Sequence, residues 1–197
     1  MEISTSSLMN FHFETNPKAC QPVESMTKSS IQDWLRESTI LVKNISEHPI
    51  LELNSILASV LEKKREWLVT HSAELLSFEQ IRKLNDLRGR LINGEPLPYL
   101  VGKQAFFGLD FIVTPAVLIP RPETELLIEE AIAWLELNPG CRKAVDVGTG
   151  SGAIAVALAD RFSNLIVTAI DISDKALDVA RRNSLQFKVD KNIIRQH

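Results

Sequence analysis

Apolar and polar positions alternate along this chain with a period that changes near its middle. Across residues 29–91 the apolar residues recur every three or four positions, the spacing of helices with one buried face. Ile31, Trp34, Leu35, Leu41, Val42 and Ile45 form a first stripe. His48-Pro49 breaks it, because proline disfavours helical backbone in the residue before it. Leu53, Ile56, Leu57, Val60 and Leu61 give a second helix, and Trp67 and Leu68 a short third. A fourth opens on Ser77 and Gln80, spaced as a capping box, and stops at Asn93-Gly94. It carries Ile81, Leu84, Leu87 and Leu91 inward. The pattern predicts a small helical bundle in which these stripes are core.

Residues 95–99 (EPLPY) then read as a linker with two prolines. Beyond them Phe106, Phe107, Phe111, Ile112 and Val113 flank Gly108-Leu109-Asp110, which predicts a β-hairpin with a short glycine-containing turn. Residues 117–122 (VLIPRP) lead into a helix with Pro122 at its first position, and Glu123 and Glu125 complement the dipole of its first turn. Leu126, Leu127, Ala131 and Leu135 supply its inward face, and Pro139-Gly140 end it. From here short apolar runs alternate with helical stretches. Residues 143–147 read as a buried strand, 153–158 (AIAVAL) as a helix face and 165–170 (LIVTAI) as a second strand. Ser173 caps a helix running through Ala180, and residues 192–195 open a third strand. Strands alternating with helices predict an α/β unit built on a parallel sheet.

The first strand turns into its helix through VDVGTGSGAI, residues 145–154, with glycines at 148, 150 and 152. Such a turn needs positive φ or close backbone approach, which glycine tolerates. The helix beyond it offers unpaired N–H groups and a positive dipole end. The place, at the carboxyl end of a first parallel strand, is that of a cofactor cradle. Gly148, Gly150 and Ala153 fit the dinucleotide fingerprint, a weak signal alone. Asp146, two residues before the first glycine, would repel a pyrophosphate but suits a cation, and S-adenosylmethionine carries a sulfonium and an ammonium. Asp171, after the second strand, can accept from both ribose hydroxyls of either cofactor. The turn favours S-adenosylmethionine over a nicotinamide cofactor.

Charge and cysteine content narrow the class. The 197 residues are 45% hydrophobic and 24% charged, values of a globular chain. A net charge of −3 gives no electrostatic reason to expect nucleic-acid binding. The two cysteines, Cys20 and Cys141, lack metal or disulfide-framework spacing, and the four histidines are scattered. No metal site is expected. No stretch approaches the ~20 apolar residues of a membrane span. Residues 1–28, rich in Ser, Thr and Asn, read as a disordered extension with Met26 as an alternative start. A cytoplasmic setting follows by default.

The segment GEPLPYLVGKQAFFGLDFIVTPAVLIPRPETE, followed by VDVGTGSGAIAVALA and VTAIDIS, resembles the HemK-like protein-(glutamine-N5) methyltransferases. LIPRPETE is its specific part, since methyltransferases in general share only the glycine turn. The resemblance runs from about residue 30 to the end of the chain. It implies an S-adenosylmethionine-dependent enzyme that methylates the glutamine of the GGQ tripeptide in class I peptide-chain release factors. It also implies that the helical domain contacts the release factor, and that the enzyme is a monomer without direct nucleic-acid or membrane partners.

By this resemblance Gly148, Thr149, Gly150, Ser151 and Gly152 wrap the methionine moiety, with Asp146 beside them, and Asp171 holds the ribose. Arg121, Glu123 and Thr124 lie beside the cofactor and substrate pockets, and Phe106 near the substrate glutamine. A hairpin-core role is the alternative for Phe106, and a surface ion pair with Glu123 or Glu125 that for Arg121. The family's Asn-Pro-Pro tetrapeptide, which holds the substrate amide, has no counterpart: Asn16-Pro17 and Asn138-Pro139 are not followed by proline. The expectation is therefore an N-terminal portion of the enzyme, inactive alone. Its alternatives are a non-catalytic remnant binding a partner, or a methyltransferase for another amide or amine. The expected layout is an extension over 1–28, a helical substrate-recognition domain over 29–94 and a linker with hairpin over 95–121. Residues 122–197 then form part of a Rossmann-like class I methyltransferase domain with an incomplete sheet.

Overall fold

The computed structural model describes residues 29–197. The expected extension over 1–28, with Met26 and Cys20, lies outside them.

Helix α1 (Ile31–Val42) starts at Ser30, whose hydroxyl accepts from the Asp33 N–H while Asp33 reaches back to the Ser30 N–H, a capping box. Its buried positions are Ile31, Trp34, Ser38 and Val42. Leu41 and Ile45, expected inside, are 52% exposed each. They are off the face that Ile31 and Trp34 fix, and Ile45 follows the helix end. Pro49 does not break α1, which has already ended; it opens α2 (Pro49–Leu61), where its missing N–H leaves no vacancy. Leu53, Ile56 and Leu57 of α2 are fully buried. Helix α3 (Arg65–Thr70) is short, and α4 (Phe78–Ile92) begins with the predicted Ser77–Gln80 capping box. Main-chain bonds from Ile31 N to Glu74 O (3.0 Å) and from Leu76 N to Ser29 O (2.9 Å) close the bundle.

The presumed linker is itself structured. Residues Leu97–Val101 form a one-turn helix, α5, ended by Gly102 at φ +72°. Its Leu100 enters the bundle core. Strands β1 (Lys103–Phe106) and β2 (Leu109–Ile112) pair antiparallel with Phe106 opposite Leu109. The connecting residues are Phe107 and Gly108, at φ +50° and +73°. Leu109 and Asp110 therefore belong to β2, not to the turn as the glycine position suggested. A two-residue loop with both φ positive matches the twist of the strands. Phe106 and Phe111 put the hairpin into the core of the following α/β unit.

In that unit α6 (Glu123–Leu137) has Pro122 as its N-cap, so the helix starts one residue later than expected. Its buried residues are Ile128 and Leu135, with Ala131 and Ile132 partly covered. Leu126 and Leu127, expected inside, are 64% and 57% exposed. Apolar residues occupy so much of this helix that spacing alone cannot choose its face.

Strands β3 (Lys143–Val147), β4 (Ile166–Ile170) and β5 (Ile193–Gln196) form a parallel sheet in that order. Helix α7 (Ala153–Arg161) joins the first pair, and α8 (Asp174–Gln186) precedes a 3-10 turn before β5. Central β4 buries Val167 and Ala169 completely. Edge strand β3 reverses the expectation of a buried apolar run: Val145 and Val147 are 63% and 77% exposed, and Asp146 is inside. With a side-chain period of two, packing Ala144 on the core sends Asp146 the same way.

Candidate functional site

The glycine turn bends over the end of β4. The Gly148 and Thr149 N–H groups both donate to the Ile170 carbonyl, at 2.8 and 2.9 Å. Gly148, Gly150 and Gly152 sit at φ +76°, +56° and +77°, a region costly for any residue with a Cβ. Gly152 is also the N-cap of α7, and its N–H donates to the Thr149 carbonyl at 2.8 Å. A Cβ on Gly152 would lie 3.0 Å from that of Ala180 in α8. Close helix packing thus explains this glycine, whereas a Cβ at Gly148 would meet nothing within 4 Å. A Cβ at Gly150 would meet only the Gly148 carbonyl oxygen, at 4.0 Å.

Two carboxylates bracket the turn from different sides. Asp146 is 8% exposed and accepts from the Thr149 hydroxyl at 2.6 Å. Burial pushes its carboxyl above the ordinary range, and nearby Asp171 adds to this. The Thr149 hydroxyl and the Ala155 N–H pull the other way. Asp146 therefore lies beneath the turn, tying it closed. Asp171 is half-buried at the outer side. Its Oδ2 accepts from the Gly150 N–H and its Oδ1 from the Ser173 N–H, each at 2.9 Å. Each oxygen keeps a lone pair for another donor. Ser151 is buried, and its carbonyl accepts from Asn183 of α8 at 2.8 Å.

The other sequence-derived candidates do not converge on the turn through bonds. Arg121 and Glu123 are exposed at the start of α6, and Thr124 is half-buried. Among the described residues no ion pair involves Arg121, so the surface bridge to Glu123 or Glu125 is not formed. Glu125 instead accepts from the Phe107 N–H at 2.7 Å, joining α6 to the hairpin turn. Phe106 is 2% exposed and meets Phe111 edge-on at 6.0 Å, the hairpin-core arrangement. Sequence reasoning missed Asn183, which holds the hairpin and the turn together. Its position one helical period beyond Ala176, Val179 and Ala180 was the available signal: an amide on a buried stripe.

Among the described residues no cluster of His, Cys, Asp and Glu could hold a metal, and no helix is long and apolar enough to cross a membrane. The family model "PrmC N-terminal domain" matches residues 33–102, and a "Methyltransferase domain" model matches residues 144–196. A release factor glutamine methyltransferase of Escherichia coli (strain K12) is 39% identical over 162 residues, 82% of this chain and 57% of that protein. The enzyme of that name from Buchnera aphidicola (subsp. Baizongia pistaciae) is 35% identical over 163 residues, 83% and 58%. That from Koribacter versatilis is 43% identical over 142 residues, 71% and 50%. The chain thus spans only 50–58% of the length of these relatives.

Proposed function

Over most of its length this chain is homologous to release factor glutamine methyltransferases, and on that premise we propose that it is the methyl-donor portion of such an enzyme. The reaction would methylate the side-chain amide of the GGQ glutamine in a class I release factor, in the cytoplasm. One observation carries the reading: a single chain joins the helical domain of that family to the glycine turn of a methyltransferase domain.

The residues present fit S-adenosylmethionine, which when bound supplies an electrophilic methyl group on a sulfonium. Gly148 and Gly150 give a surface without Cβ atoms. Asp171, oriented by two N–H groups, has lone pairs left for the vicinal hydroxyls of a ribose. Asp146 holds the turn closed and contributes negative charge under it. Because burial makes that charge costly, a nearby cation favours its ionised form, so cationic ligands are preferred over a pyrophosphate. An amide nitrogen is a poor nucleophile, so orientation of the substrate must supply much of the rate. Gly148, Gly150, Asp146 and Asp171 belong to the donor side; the 197 residues contain no Asn-Pro-Pro tripeptide for the acceptor side. The helical domain, matched over residues 33–102 by the PrmC N-terminal domain model, would supply the face for the release factor.

Competition between S-adenosylhomocysteine and NAD, measured by calorimetry, tests the cofactor assignment. Tighter NAD binding would overturn it. Titration with a class I release factor tests the partner separately, and absence of binding removes the substrate assignment while leaving the cofactor site intact.

A further inference from the structure

Asn183 is fully buried although it carries an amide. Its Oδ1 accepts from the Ile112 N–H at 2.7 Å, and its Nδ2 donates to the Ile112 carbonyl at 2.9 Å. The second Nδ2 hydrogen goes to the Ser151 carbonyl at 2.8 Å. Both donors are used and the acceptor is engaged, so the amide is satisfied by two segments far apart in sequence. Toward Ile112 it acts as a neighbouring strand residue would, exchanging both main-chain bonds. Toward Ser151 it holds the last bend of the glycine turn. The surroundings reinforce the same junction. Ala180, one turn earlier on α8, packs on Gly152. Gln186 donates to the Asp110 carbonyl at 2.7 Å, and Phe187 lies 5.2 Å from Phe111.

We propose that Asn183 is a positioning residue: its amide joins the β-hairpin to the cofactor turn, so that the two segments open, close and respond to ligand as one unit. The identity of the ligand rests on the methyltransferase reading above; the mechanical coupling does not. Removing the amide takes the partner from three main-chain groups, the N–H and carbonyl of half-buried Ile112 and the carbonyl of buried Ser151, and an unpaired group costs most where water cannot replace the bond. The loss is therefore felt on both segments at once.

Amide hydrogen exchange on the ¹⁵N-labelled full chain, without ligand, decides the coupling. Asn183→Ala lowers protection at Ile112 and in residues 150–156 together, by about tenfold or more, and leaves the Leu84 region of the bundle unchanged. Gln186→Ala, which removes one exposed contact to the hairpin, leaves the turn protected. Should Asn183→Ala fail to fold, Asn183→Asp carries the test. Protonated, it keeps an acceptor and one donor; ionised, it sets a negative charge against two carbonyl oxygens. Its protection factors in both segments should fall together as pH rises through the carboxyl titration, with no such step in the wild type. Loss of protection in one segment only, in either variant, overturns the proposal. With S-adenosylhomocysteine added, protection of the wild-type turn without any change at Ile112 also overturns it. No change in either segment instead sinks the cofactor assignment, and the ligand-free result stands by itself.

Discussion

Substituting Gly152 by alanine separates two reasons for a glycine that sequence cannot distinguish. The residue sits at φ +77°, and a Cβ there would meet the Ala180 Cβ at 3.0 Å and its Cα at 3.2 Å. Left-handed backbone alone costs a residue with a Cβ about 1–2 kcal/mol. Overpacking against an α8 backbone that cannot rotate away adds about 1–3 kcal/mol. Gly152→Ala should therefore lose roughly 2–5 kcal/mol of stability. Gly148→Ala, at φ +76° with nothing within 4 Å, should lose only the conformational part, about 1–2 kcal/mol. Urea unfolding of both variants gives the difference. Ala180→Gly in the Gly152→Ala background completes a double-mutant cycle, since the two residues touch and their effects should not add. Alone, Ala180→Gly costs about 1 kcal/mol of helix propensity; combined, it should recover part of the clash. Equal losses at Gly148 and Gly152, or strict additivity in the cycle, would refute the packing explanation.

Further outcomes follow from the acids and the caps. Asp171→Ala removes the acceptor of two N–H groups and of the proposed ribose contacts, and should weaken S-adenosylhomocysteine binding by on the order of 2–3 kcal/mol; unchanged affinity in calorimetry would move the site elsewhere. The folded-state pKa of Asp146 is raised by burial, so the stability it contributes is present below the unfolded pKa and is lost as pH rises through the folded value. Asp146→Asn, which keeps an acceptor for the Thr149 hydroxyl, should thus gain stability relative to wild type as pH rises from about 4 to about 7. A widening wild-type advantage over that range, by denaturant titration, would contradict the stated cause. Ser77→Ala breaks the capping box of α4 and should cost about 1 kcal/mol in thermal or urea unfolding; no change would mean that the cap is idle.

What could be read from the chain beforehand was what depends on near neighbours. The Ser77–Gln80 box, the Ser173 cap and the positive φ of Gly148 and Gly150 each express a constraint between residues a few positions apart, and each is present as read, whereas the packing of Gly152 on Ala180 is long-range. The inward face of α6 was not legible, because Leu126 and Leu127 are as apolar as the Ile128 that is buried instead. Strand β3 misled for a different reason. Its valines suggested burial, yet the pleat places Asp146 inside, where Thr149 satisfies it. The stripe of α8 could mark Asn183 as a buried amide, but not its partners, which lie 71 and 32 residues away. No local pattern encodes a bond of that range.

The three parallel strands stand in the sheet in the order in which they occur in the chain, and N-terminal parts of a chain fold first during synthesis. The core of the helical bundle is complete by Val101, once α5 has added Leu100, so it can form while the sheet is still emerging. The hairpin and the glycine turn are different. Each has a main-chain group that waits for Asn183, so neither reaches its final bonding until α8 has left the ribosome. On a nascent chain, the junction of hairpin and turn would then close abruptly with one helix, well after the turn itself has been synthesised.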